Sequence, residues 1–332
     1  MADKVRWGVL GVARIATGKV IPAMQRGDNA EIVAIASRDV EKARRTAAAL
    51  GIPKAYGSYE ELLADPEIEA VYNPLPNHLH VPWSIRAAEA GKHVLVEKPV
   101  ALGVAECRTL IEARDRTGVK MGEAFMVRTH PQWLRARELV RSGEIGPLRA
   151  VMTAFSFYNR DPANVRNVLE MGGGGMMDIG CYGIQAARYF FGEEPRRVVS
   201  LIGRDPEFRI DSIASVLLDF PSGQSVFTCS LQMTPYQRVQ IAGERGRIEI
   251  EIPFNPMPDR PTRIFVSTGA GIRTEEIAPC DQYTIQGDLF SKAIRGEGEV
   301  PTPLEDAIRN MAVIEAVFES ERGNGWAIPP LS

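Results

Sequence analysis

Two groups of residues in this chain have the types and spacing that proton and hydroxyl chemistry needs: a lysine at the end of an apolar run, and an aspartate and a tyrosine behind four glycines. The run Val94-Leu95-Val96 reads as a buried strand of the parallel-sheet kind. Lys98, between Glu97 and Pro99, then emerges at the carboxyl edge of that sheet, where open α/β folds place their ligands. Pro99 disfavours the helical region for Lys98 and keeps it extended. The plainer alternative is a solvated Glu-Lys pair at a strand end. In the second group, Gly172 to Gly175 allow close approach of the backbone, and Ile179, Ile184, Ala187 and Phe191 predict a helix that Gly192 stops. Asp178 and Tyr182 are four apart and share one face of it. Here the alternative is a first-turn aspartate favoured by the helix dipole, with a core tyrosine beside it.

A third group lies at the start of the chain. The predicted strand 5–10 runs into Gly11-Val12-Ala13-Arg14-Ile15-Ala16, which opens a helix continuing through Ile21 and Met24. This is the strand, turn and helix that a dinucleotide site requires. Gly11 permits the tight turn, and the small Ala13 and Ala16 stand where a full fingerprint has glycines. The next strand ends in Ser37-Arg38-Asp39, about 20 residues beyond the glycine turn, where an acid serves the ribose of NAD and an arginine suits the 2′-phosphate of NADP. Ser37 can donate to that phosphate and Arg38 can pair with it bidentately. NADP is therefore favoured, with NAD possible through Asp39, although Asp39 also suits the cap of a helix starting at Val40.

These residues need a scaffold that brings strand ends and helix starts together. The predicted order alternates strands at 5–10, 32–36, 70–73, 94–96 and 120–122 with helices at 16–24, 40–50, 59–64, 80–90 and 104–116, which is a doubly wound sheet. Gly51, Gly91 and Gly118 follow helices as caps do. From Arg149 the pattern becomes strand-like at 151–157, 197–203, 213–220, 225–232, 236–242, 247–252 and 263–267, with turns at 221–224 and 243–246. The expected fold is α/β: a Rossmann domain over 1–122, then an α+β domain over 123–332 with a mostly antiparallel sheet for substrate binding and oligomerisation. One face of that sheet carries the Asp178 helix, the other is open, and a late helix over 303–320 is expected to brace the first domain.

At 332 residues, 45% hydrophobic and 24% charged, the chain has the composition of an ordinary globular protein of two domains. A net charge of −3 with scattered basic residues argues against nucleic acid and anionic membranes as partners. No leader and no membrane-length apolar run is read, which makes the cytoplasm the expected compartment. The four cysteines and four histidines lack metal-ligand spacing, so no metal is expected and the cysteines read as reduced thiols.

Taken together, Gly11-x-Ala13-x-x-Ala16, the run Tyr72-Asn73-Pro74-Leu75-Pro76-Asn77-His78-Leu79-His80, Glu97-Lys98-Pro99 and Asp178-x-x-x-Tyr182 resemble the glucose–fructose oxidoreductase/inositol dehydrogenase/MocA-like family of NAD(P)-dependent oxidoreductases. The resemblance covers essentially the whole chain. A tyrosine at 182, where many members carry histidine, and the segment 158–166 are similar to the branch with glucose–fructose oxidoreductase, NADP-dependent aldose dehydrogenases and dimeric dihydrodiol dehydrogenases. It implies cofactor contacts from Gly11, Ala13, Arg14, Ile15, Ser37, Arg38, Pro74, Leu75, Asn77, His80, Glu97 and Lys98. It also implies substrate contacts from Lys98, Tyr158, Arg160, Arg166, Asp178, Tyr182 and Tyr283, and a homodimer or homotetramer through the open sheet face. Glucose–fructose oxidoreductase is exported and clasps its cofactor with an N-terminal arm. This chain begins Met1-Ala2-Asp3-Lys4 directly before its first strand, which argues against permanent cofactor retention.

The implied reaction is reversible oxidation of a sugar or polyol hydroxyl, with C1 of a pyranose aldose, giving a lactone, as the first expectation. Tyr182 is the expected acid/base. Bringing a phenol from about 10 to near neutrality takes about 3–4 kcal/mol. A lysine cation about 4 Å away contributes about 4 kcal/mol at an effective dielectric near 20, so Lys98 is sufficient in magnitude. Asp178, acceptor-only when ionised, would hold a sugar hydroxyl. Three other readings stay open: an aldose–ketose or aldose–aldose oxidoreductase with retained NADP, a dihydrodiol dehydrogenase, and an NADP-sensing regulator. The regulator has no use for Lys98, Asp178 and Tyr182 together.

Overall fold

The computed structural model describes residues 3–330. Its first sheet is built from β1 (Val5–Leu10), β2 (Ala30–Ala36), β3 (Lys54–Tyr56), β4 (Ala70–Asn73), β5 (His93–Val96) and β6 (Met121–Glu123). All pairings are parallel, in the order β3-β2-β1-β4-β5-β6. The strands carry near-continuous apolar runs, and Val5, Trp7, Val9, Ala34, Ile35, Val71 and Val94 are fully buried, as a sheet covered on both faces requires. Winding outward in both directions from β1 leaves a switch point between β1 and β4, so the ends of β1, β2, β4 and β5 face one crevice.

The chain divides into two compact units. The first runs through Thr129 and takes back Asp281–Ala307, residues that the sequence reading grouped with the second half of the chain. Within it the helix Gln282–Ile294 packs Phe290 on Trp7 at 5.6 Å between ring centroids, and the Trp7 indole donates to Ser291 Oγ at 3.1 Å. Nothing in the local sequence pairs residue 7 with residue 290, so this return was invisible to a reading by periodicity.

The second unit, His130–Cys280 with the chain from Ile308, holds β7 (Leu148–Tyr158), β8 (Arg197–Arg204), β9 (Asp211–Asp219), β10 (Gln224–Ser230), β11 (Gln232–Gly243), β12 (Gly246–Ile250), β13 (Thr262–Thr268) and β14 (Gly271–Ile277). They form one sheet in the order β14-β13-β12-β11-β7-β10-β9-β8. Its pairings are antiparallel except for β10 with β7. The helix Cys181–Phe191 lies on one face so closely that a Cβ on Gly183 would stand 2.6 Å from Phe227 Cγ. The opposite face leaves Leu201, Ile213 and Val226 exposed at 78%, 38% and 45%.

The strands β3 and β14 and the helices Pro131–Arg141 and Gln282–Ile294 were not read from the sequence. Both strands are sheet edges. β14 carries Arg273, Glu275 and Glu276 with no buried face, the charged composition that protects an edge and erases the alternation by which strands are recognised.

Candidate active site

In the first unit β1 delivers Gly11 to a turn with φ +87°. Its amide donates to the Ala36 carbonyl at 2.9 Å, and a Cβ there would stand 2.8 Å from Leu75 Cδ2. A side chain is therefore excluded both by conformation and by space. Arg14 and Ile15 follow on the first turn of the helix, whose segment Ala16–Val20 is a π-helical turn ahead of Pro22. At the end of β2, Ser37 is buried, and its Oγ accepts from the Asp39 amide at 3.2 Å. Asp39 caps the helix Val40–Leu50, its Oδ1 accepting from the Lys42 amide at 3.0 Å, and both Arg38 and Asp39 are exposed. Arg38 hydrogen-bonds to the Tyr59 hydroxyl; burial raises the Tyr59 pKa while the Arg38 charge pulls it down. Tyr59 in turn packs edge-on to Trp83, 4.7 Å between centroids. Tyr59, at the start of a short capped helix, carried no signal in the sequence pattern.

The loop leaving β5 is held at every residue. Glu97 Oε1 accepts from the Tyr72 hydroxyl at 2.5 Å, and its Oε2 accepts from the Lys98 amide at 3.3 Å. The Pro99 carbonyl meets His80 Nδ1 at 2.8 Å, and the Val100 amide donates to Glu123 Oε1 at 2.9 Å. The Lys98–Pro99 peptide is cis. His80 Nε2 also lies 2.7 Å from the Leu75 carbonyl, so one imidazole joins the loop after β4, with Pro74 and Asn77, to the loop that carries Lys98. The ring is 1% exposed. Burial outweighs both carbonyl contacts and lowers its pKa to about 4; a neutral ring donates to only one of the two carbonyls. His80 thus acts on loop backbone from beneath. Tyr283 stands beside Glu97, buried, and burial and then the Glu97 charge raise its phenol.

In the second unit the glycine run feeds a π-helical turn, Met176–Gly180, which continues as Cys181–Phe191. π turns concentrate at functional sites, and this one contains Asp178 and ends two residues before Tyr182. Arg166 Nε donates to Asp178 Oδ2 at 2.6 Å. The Tyr182 ring is gripped by Phe155 and Phe254, at 5.6 and 5.1 Å, and the residue is 4% exposed. Two of the predicted substrate residues are thereby joined, Arg166 with Asp178. Arg160 is engaged elsewhere, 2.9 Å from Glu207 and 3.4 Å from Asp205, while Tyr158 ends β7 at 65% exposure. Among the described residues no cluster of three or more His, Cys, Asp or Glu could hold a metal ion, and no helix is long and apolar enough to cross a membrane.

Comparison with known proteins agrees with this arrangement. Residues 5–125 match the oxidoreductase family with an NAD-binding Rossmann fold, and residues 133–249 match the GFO/IDH/MocA C-terminal domain. An uncharacterised oxidoreductase of Rhizobium meliloti is 49% identical over 97% of this chain and 98% of that protein. A D-xylose 1-dehydrogenase (NADP+) of Haloferax volcanii is 40% identical over 95% of this chain and 96% of its own. The crystal structure of an aldose–aldose oxidoreductase from Caulobacter crescentus, complexed with glycerol, superposes with a TM-score of 0.91 at 29% identity, covering 98% of this chain and all of that one. A glycine turn with no room for a side chain, an arginine exposed after β2 and matches to both domain models lead to one assignment: the chain is an NAD(P)-dependent oxidoreductase acting on CH–OH groups and belongs to the Gfo/Idh/MocA family.

Proposed function

We propose that this enzyme is an NADP-dependent dehydrogenase of pyranose aldoses, acting at C1 to give the lactone. The observation that carries the reading is the fixed Asp178, paired with Arg166 at 2.6 Å and followed by Tyr182 on the same helix. The names of the xylose dehydrogenase and of the aldose–aldose oxidoreductase support the substrate class. Gly11, Ala13, Arg14 and Ile15 would hold the pyrophosphate of the dinucleotide, and Ser37 and Arg38 its 2′-phosphate. The tight space at Gly11 and the exposed guanidinium after β2 fit that group.

A bound nicotinamide supplies the ring that exchanges a hydride with the sugar carbon. Tyr182 takes the hydroxyl proton in oxidation and returns it in reduction. Lys98 supplies the positive charge that favours the phenolate and donates to the reacting oxygen. Its loop is anchored through Tyr72, His80 and Glu123, so little reorganisation is needed during the reaction. Asp178 accepts from a neighbouring sugar hydroxyl and sets the orientation. The exposed Leu201, Ile213 and Val226 support a homodimer or homotetramer through the open sheet face.

The test is a screen of aldoses, polyols and diols with NADP and NAD, followed by absorbance of the reduced nicotinamide, on protein first checked for co-purified nucleotide. D-xylose or D-glucose with NADP is expected to give the largest rates. Lys98→Met is expected to lower kcat about 10³-fold or more with the fold intact. Turnover of diols alone, or near-normal turnover by Lys98→Met, overturns the reading.

A further inference from the structure

The glycine run has an occupant for the space it leaves. Asp211, the first residue of β9, is 3% exposed, and its Oδ2 accepts from the Met176 amide at 2.5 Å. Gly174 has φ +121°, and a Cβ there would stand 1.9 Å from Asp211 Oδ1. A Cβ on Gly175 would stand 3.2 Å from the Asp211 carbonyl oxygen and 3.3 Å from Oδ2. Gly174 and Gly175 thus lie against the Asp211 carboxyl, which reaches the first amide of the π turn, whereas a Cβ on Gly173 would meet the Arg166 and Val168 carbonyl oxygens. A carboxyl group at that end of a helix satisfies an amide that has no intrahelical partner and suits the local dipole.

Two further bonds tie this point to the chemistry. The Gly174 carbonyl accepts from the Asp178 amide at 3.1 Å, and the Gly174 amide donates to the Arg166 carbonyl at 2.9 Å. Arg166 then closes the circuit through its side chain to Asp178. A shift of the Asp211 carboxyl therefore moves Gly174, and with it both members of the Arg166–Asp178 pair.

We propose that Asp211 is a positioning residue that fixes the entry of the Asp178–Tyr182 helix, setting turnover without touching the substrate, and that Gly174 and Gly175 stand where they do to admit its carboxyl group. The proposal rests on the catalytic assignment of Asp178 and Tyr182 made above.

Two variants approach it from opposite sides. Gly175→Ala introduces no backbone strain, since Gly175 has φ −67° and ψ −39°. Asp211 is the one neighbour that its Cβ would crowd, Leu231 being 3.8 Å away. Asp211→Asn keeps the shape and one acceptor. Steady-state kinetics of the full chain with D-xylose and NADP, or the best sugar of the screen, should show each variant losing about tenfold or more in kcat, with KM for NADP within about twofold. The double variant should lose less than the product of the two, because both disturb one contact. Gly175→Ala leaves Asp211 in place and carries the test even without a folded Asp211→Asn. Wild-type kcat in either variant, or losses that multiply fully, overturns the proposal. Tyr182→Phe runs alongside: wild-type turnover there overturns the catalytic assignment, whereas a collapse there with unaltered Asp211→Asn overturns the positioning role alone.

Discussion

Arg166 reaches twelve residues along the chain to donate to Asp178 at 2.6 Å, so the carboxylate ahead of Tyr182 is oriented by a guanidinium from the preceding loop. The side chains are 39% and 13% exposed, and a pair this accessible adds at most about 1 kcal/mol to stability. Its value lies in orientation. Arg166→Met is expected to raise the KM for the sugar about tenfold, with a smaller loss in kcat and a melting temperature within a few degrees of wild type. Steady-state kinetics and a thermal melt check this; an unchanged KM removes Arg166 from the substrate machinery.

Cofactor choice should follow Arg38. Arg38→Asp removes the phosphate partner and sets a negative charge beside a group carrying about −1.5 to −2 near neutral pH. The affinity for NADP is expected to fall about 10²-fold or more while that for NAD changes little. Tyr59→Phe removes the hydroxyl that Arg38 meets and should produce a smaller change of the same sign. Calorimetric titration with each nucleotide measures both. A wild-type protein that already prefers NAD refutes the reading of this loop.

Two buried groups give stability opposite slopes with pH. His80 has a pKa of about 4, lowered by burial and then by the charges of Lys98 and His78. A lowered pKa contributes stability that is present above the ordinary value of 6.5 and lost as pH falls toward 4, amounting to about 3 kcal/mol. Asp211 is raised to about 7, by burial against the Met176 amide and the Arg204 charge, with Glu321 and Cys229 as further neighbours. Its contribution is present below the ordinary value and lost as pH rises through 7, amounting to about 4 kcal/mol. Between pH 4 and 6.5 the two nearly cancel. Denaturant titrations across that range should give Asp211→Asn a steeper gain in stability with rising pH than wild type, and His80→Gln a steeper loss. Parallel curves for all three proteins rule out the assignment.

Much of this was legible in the sequence because it is local. A parallel strand buried on both faces is a run of apolar residues, and a glycine between a strand and a helix marks a tight turn, so β1, β2, β4, β5 and Gly11 could be read directly. The Asp39 cap was legible for the same reason. Contacts at long range were not. Asp211 lies 35 residues from the amide it holds, and Tyr72, 25 residues from Glu97, read as a strand residue at the head of the family motif, with nothing to pair it with Glu97. His80 entered only as a cofactor contact implied by the family resemblance. Its burial and its two carbonyl neighbours depend on where the 99–100 turn falls, which no spacing in the chain encodes. The π turn at 176–180 was hidden too, since its residues fit an ordinary helix.

Tyr182 and Asp178 carry different burdens in the proposed reaction and should fail differently. Tyr182→Phe keeps the ring between Phe155 and Phe254 and removes only the hydroxyl. Substrate and cofactor should still bind, while turnover loses an acid–base contribution of about 10²–10⁴-fold. Asp178→Asn keeps the shape but replaces one acceptor oxygen with a donor facing Arg166, so KM should rise along with any loss in kcat. The pH dependence separates them further. Oxidation by the wild type should rise with pH as the phenol of Tyr182 loses its proton, and that limb should vanish in the Phe variant and persist in the Asn variant. If the Phe variant keeps both the wild-type kcat and the limb, Tyr182 is a core residue held by its aromatic neighbours. The proton acceptor would then have to be sought at Lys98, since His80 is sealed beneath the loop with both ring nitrogens against carbonyls.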